Sequence, residues 1–205
     1  MSATHPGGQT LVEFALVLPI LLVVLLGVVD FGRVFSASIA VEASARNGAE
    51  IGAVTRLRDK PSPDTSTWSA YYADLHGQVA RVVCSELSVL PNTTFNSADR
   101  TCPSMPVIRV CVHDDRDPQC GLPILGFADD PLPAECDHMD VAWNNASGGL
   151  IGSHGVEVRL CYQFTTLFNL HFTMPDDSGL DLGTIWLQRE RVFALDCPPG
   201  DVTSC

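Results

Sequence analysis

The chain has 205 residues, enough for one domain of ordinary size plus an appendage. Its net charge of −12 falls wholly beyond residue 60: residues 1–60 carry five Lys/Arg against five Asp/Glu, the remainder seven against nineteen. An acidic surface of that kind suits solubility and argues against nucleic acid as a partner, because binding phosphate needs a basic footprint.

Residues 1–8 (MSATHPGG) form a short polar leader. Residues 11–29 follow as an apolar run whose only charge is Glu13. As a helix this run is roughly 28 Å long, close to the ~30 Å of a bilayer's hydrocarbon core. No other stretch approaches that length, so one membrane segment is expected, with the remainder in water. Pro19 stands inside the run and is expected to kink the helix or loosen one turn.

From Asp30 to about Arg58 the chain stays helix-compatible but turns amphipathic. Ser36, Ala37, Ser38, Ala40, Ala43, Ser44, Ala45, Gly48, Ala49, Gly52 and Ala53 are small, and small side chains let a neighbouring element approach closely. The string KPSPD at 60–64 reads as a helix breaker and linker. Trp68, Tyr71, Tyr72, Leu75, Val79, Val82, Val83 and Leu87 then follow helical spacing and predict a second amphipathic helix over 67–89, ended by Pro91. The aromatic residues on that face read as core.

Beyond it the period changes to two. Residues 107–113, 156–164 and 185–195 alternate apolar and polar, each reading as a half-buried strand of an antiparallel sheet with one wet face. Residues 114–155 are rich in Pro, Gly, Asp and Asn and read as an irregular loop, stapled through Cys120 and Cys136. The four parts expected are therefore a leader (1–8), a membrane-spanning helix half (9–29), a continuation of that helix outside the membrane (30–60) and a C-terminal α+β domain (61–205).

All eight cysteines follow the apolar run: Cys84, Cys102, Cys111, Cys120, Cys136, Cys161, Cys197 and Cys205. An even number in a domain tethered outside the cytoplasm reads as disulfides, whose connectivity the sequence leaves open. No CxxC pair exists, and Cys111 with His113 and Cys136 with His138 lack partners at zinc spacing, so no metal is expected. Asp114, Asp115, Asp117, Asp129, Asp130, Asp176, Asp177 and Asp181 offer oxygens to calcium but follow no EF-hand spacing, and a solvated acidic loop is the favoured reading. Asn92 and Asn145 open glycosylation sequons. No GxSxG, HExxH, P-loop or GxGxxG is present and the six histidines are scattered, which leaves catalysis without candidate residues and points away from an enzyme.

Two signals bear on orientation and trimming. All five early basic residues follow the apolar run, which by the positive-inside rule favours a cytoplasmic C-terminus; the cysteines and the acidic domain favour an external one and weigh more. Ser38-Ile39-Ala40 is a small-x-small site for an ordinary signal peptidase, but charged Asp30 and Arg33 separate it from the apolar run.

The most informative string is GGQTLVEFALVLP at 7–19. A Gly ends the polar leader, a carboxylate stands five residues later, and the apolar helix follows. A charge at the centre of a membrane helix costs about 2.5–3.5 kcal/mol, less near the interface, and calls for a partner. Cleavage after Gly8 would make Gln9 an amino terminus, and its positive amine is a natural partner for Glu13 on the same or a neighbouring chain. Gly8, Gln9, Glu13, Phe14, Pro19, the Asp30-Phe31-Gly32-Arg33 ending and the small-residue continuation resemble the TadE/TadG-like proteins of tight-adherence (type IVc) pilus systems. The resemblance covers residues 7–56. It implies a pilin-like α+β fold, with a long N-terminal transmembrane helix packed on an antiparallel sheet beside a second helix and disulfide-rich loops. It further implies processing by prepilin peptidase between Gly8 and Gln9, with Glu13 setting helix register. The implied role is that of a minor pilin or pseudopilin in the inner membrane, its C-terminal domain outside the cytoplasm, whose partners are other pilin subunits, the peptidase and an inner-membrane platform. The reading from a different class is a single-pass, surface-anchored binding or adhesion protein that is never polymerised.

Overall fold

The computed structural model describes residues 7–58, 68–113, 119–120, 133–139, 154–167, 171–173, 179–181 and 183–195. Helix α1 spans Gly7–Arg58 and α2 spans Trp68–Leu87. Strands β1 (Val107–His113), β2 (Gln119–Cys120), β3 (His154–Thr165), β4 (His171–Thr173), β5 (Gly179–Asp181) and β6 (Thr184–Leu195) follow, with a 3-10 helix at Ala134–Met139 between β2 and β3. The fold is α+β, as expected. The chain divides into two compact units, Met1–Ser36 and Ala37–Cys205.

Within the second unit, β2-β1-β3-β6 form one antiparallel sheet in that order, and β4 and β5 pair separately. One sheet face presents Ile108, Val110 and Val112 from β1 beside Val156, Val158, Leu160, Tyr162 and Phe164 from β3. All eight are buried. The alternation of β-branched and aromatic side chains favours the pleated conformation and makes this face the core.

Both helices cover that face. The buried residues of α1 in this unit are mostly small: Ala37, Ser44, Ala45, Gly48, Ala49, Gly52 and Ala53, with Val41 as the large apolar member. A Cβ on Gly48 would stand 2.5 Å from Val83 Cγ2, and one on Gly52 would stand 2.7 Å from Val156 Cγ1. The small-residue stretch is thus a close-approach surface. Helix α2 runs antiparallel to this part of α1: the Ser44 hydroxyl donates to the Val83 carbonyl at 3.3 Å, whereas Gly52 lies against Val79. Of the stripe its spacing predicts, Tyr72, Leu75, Val79, Val83 and Leu87 are buried and Tyr71 and Val82 half-buried, and His76, Ala80 and Cys84 are buried as well.

Strand β3 departs from expectation, because both its faces are buried. Glu157 is 0% and Arg159 4% exposed. They sit two residues apart on one face and form an ion pair. Arg109 and Glu190 stand directly opposite Arg159 on the flanking strands. Two arginines opposed across a ladder repel, and Glu157 supplies the compensating charge. The same face closes with Cys161, disulfide-bonded to Cys136 of the 3-10 helix and packed with Val107, Met105 and Trp186. The polar half of the alternation is therefore a buried ionic layer capped by a disulfide rather than a wet surface. The loop expected over 114–155 contains β2, the 3-10 helix and the start of β3, and β4 with β5 were not anticipated. The linker at 60–64 lies outside the described residues.

Candidate assembly and processing segment

Gly8 and Gln9 lie in the opening turn of α1. Gln9 and Glu13 are four residues apart, so they share one side of the helix a single turn, about 6 Å, from each other. Glu13 and its neighbours are exposed: Leu11 is 70% and Phe14 65% accessible. Every described side chain from 11 to 29 is exposed, although most are Leu, Val, Ile or Phe. An 18-residue stretch with no residue buried is apolar enough to cross a membrane. Surface of this kind is stable only against lipid or other helices. The helix runs through Pro19 without interruption. The proline removes the bond that its N–H would make to the Ala15 carbonyl. At the end of the run Asp30 accepts a hydrogen bond from Arg33 at 3.2 Å, an i,i+3 ion pair.

The part of α1 that belongs to the second unit is held along its length. Arg189 of β6 donates to the Ser38 hydroxyl at 2.8 Å and lies 3.4 Å from Glu42, and Arg191 pairs with the same carboxylate. Asn47 donates to Glu86 of α2 at 3.2 Å. The sequence marks Glu42, Arg189 and Arg191 only as charges on amphipathic elements; their convergence depends on the antiparallel register that places β6 beside α1. An open groove of about 450 Å3 between the helices, lined by Asn47, Glu50, Ile51, Val54, Thr55 and Glu86, has no signature in the sequence.

The cysteines form a separate set within the domain. Cys84 of α2 is bonded to Cys102, and Cys136 to Cys161. Cys111 is also disulfide-bonded, and the ladder sets it opposite Cys120. Cys197 and Cys205 lie outside the described residues. So do Asn145, Asp114, Asp115, Asp117, Asp129, Asp130, Asp176 and Asp177, while Asp181 ends β5. Asn92, the other sequon residue, adopts a left-handed conformation with φ of 66° and donates to the Gln163 carbonyl at 3.3 Å.

No curated protein and no solved structure matches the chain. The model of one protein family does, over residues 8–50, and it bears out the resemblance carried by the Gly8 to Glu13 string: that segment is similar to the family described as TadE-like protein.

Proposed function

We propose that the protein is a minor pilin or pseudopilin of a tight-adherence (type IVc) pilus, with a structural rather than an enzymatic role. One observation carries the reading. The TadE-like match begins at Gly8 and includes Glu13, on a helix whose apolar side chains from there to residue 29 are all exposed. Before processing, α1 anchors the chain in the inner membrane and the disulfide-bonded domain lies outside the cytoplasm. Prepilin peptidase cuts after Gly8. The new Gln9 amine neutralises Glu13 on its own or a neighbouring helix, which lowers the cost of the buried carboxylate and fixes axial register. Assembly then exchanges lipid around residues 11–29 for other subunits, with the domain at the tip or in an initiating complex.

The position of Ser38 within α1 supports cleavage at Gly8 over cleavage at Ala40. A cut after Ala40 would remove Ala37, which is buried, and Ser38, which accepts the Arg189 bond. N-terminal sequencing of the membrane-extracted protein checks this. Sequence starting at Gln9 is expected; a start at Val41 or an intact Met1 would overturn the processing step and leave a membrane-anchored surface protein.

A further inference from the structure

Strand β6 ends the sheet, and among the described residues no strand lies beyond it. Just before it, the Thr166 amide donates to the Gly183 carbonyl at 2.9 Å. Bonded pairs alternate along an antiparallel ladder, so the odd-numbered residues from Gly183 to Leu195 turn their backbone groups to β3. The even-numbered ones, Trp186, Gln188, Glu190 and Val192 among them, turn theirs to the outer edge. Two side-chain bonds agree with that parity: Arg189 donates to the Gln188 carbonyl at 2.7 Å, and Arg191 to the Glu190 carbonyl at 3.0 Å. These carbonyls accept from guanidiniums of their own strand where a neighbouring strand's amides would stand. The cover over the sheet also stops short of this edge. Ile185 and Phe193 are exposed, although Phe164 and Val156, directly opposite them on β3, are buried.

We propose that the outer edge of β6 receives an extended segment of another protein as an added antiparallel strand, with acidic side chains opposite Arg189 and Arg191 and apolar ones opposite Ile185, Leu187 and Phe193. Edge strands bind peptides in this way through the main chain, while alternate side chains select the partner. Such docking needs only the sheet and is independent of the pilus reading. The charge pattern chooses the occupant. Arg189 and Arg191 share the carboxylate of Glu42, so this face of β6 holds two cations against one anion. A second copy of β6 is a poor partner. In the registers of fullest overlap, two-fold pairing sets Arg189 opposite Arg189 or Arg191, and like charges directly opposite repel. Carboxylates in that place would draw the guanidiniums off the Gln188 and Glu190 carbonyls and open these to the incoming amides. Until then the same arginines blunt the edge.

Full-length protein in detergent and the labelled peptide Val-Thr-Asp-Thr-Asp-Thr-Val-Thr-Val test this. Laid antiparallel with its amino end at Phe193, the peptide sets Asp opposite Arg191 and Arg189 and turns the amides of its Thr residues to β6. It should bind. Hydrogen exchange at Gln188 and Val192 should then slow, with no change at Arg189 and Arg191, whose amides already face β3. N-methylation of the Thr residues should abolish binding; N-methylation of the Asp residues, whose amides point away, should not. Lys in place of Asp should weaken binding about fivefold per residue, the factor for roughly 1 kcal/mol from an exposed ion pair. No binding, equal loss on methylation of either set, or protection confined to residues away from β6 would overturn the proposal. So would slow exchange at Gln188 and Val192 before any peptide is added, because the edge would then be held by a second copy or by another part of this chain.

Discussion

Glu13 and Gly52 show two ways in which one side chain decides an interaction. Glu13 is exposed on an apolar helix, so its charge has value only where another charge answers it. Glu13→Ala should leave the protein in the membrane fraction yet reduce its recovery in sheared fibres, read by immunoblot of both fractions. Gly52 is decided by space. Alanine in a helix interior is favoured over glycine by about 1 kcal/mol. Against that, a methyl at Gly52 meets Val156 Cγ1 at 2.7 Å and Val79 Cγ2 at 3.0 Å. Both walls are β-branched, stiff at χ1 and fully buried, so overpacking of about 1–3 kcal/mol outweighs the helix gain. Gly52→Ala should lower the midpoint of thermal unfolding. Gly27→Ala, where nothing lies within 4 Å, should not.

At the level of elements, periodicity located the long pieces. Strand β1 ends where its alternation ends, β3 and β6 extend one or two residues beyond theirs, and α2 keeps its apolar stripe because Tyr72, Leu75, Val79 and Val83 are all buried on one side of it. What alternation concealed was the second face of β3. Glu157 and Arg159 read as solvent-facing because a lone sequence shows one charge at a time. Their surroundings arise only from the folded register, which joins Cys161 to Cys136 on the same face and sets Arg109 and Glu190 opposite Arg159. The 3-10 helix should accordingly depend on that bond. Replacing Cys136 and Cys161 together by Ser should cost about 2–5 kcal/mol. Urea unfolding of the domain in detergent would measure it, and an unchanged midpoint would mean that the ionic layer holds without its cap. The Glu42 clamp was illegible for a similar reason: its partners stand far along the chain on β6, with a sequence separation of 149 from Glu42 to Arg191, and only the folded register joins them.

For the molecule as a whole, the acidic domain and its disulfides favour a C-terminus outside the cytoplasm, whereas the basic residues after the apolar run favour the reverse. Disulfide formation needs an oxidising compartment, and the bonded Cys84, Cys102, Cys136 and Cys161 weigh on that side. Protease added to spheroplasts should therefore degrade the domain and leave a short protected fragment containing the apolar run of α1; full protection would place the domain inside. The family segment was legible because it is a local string, with Gly8, Glu13 and the apolar run all inside one helix. The rest of the molecule is assembled from distant parts, and its role was not. The placement of the cysteines has a mechanical consequence. None precedes Cys84, so no disulfide can tie α1 to the domain it carries. Tension along the helix is borne by the packed small residues and the Glu42 and Ser38 contacts, which lie along the helix axis and are loaded in shear together. Reducing agents would loosen the domain internally while leaving this grip on the helix intact.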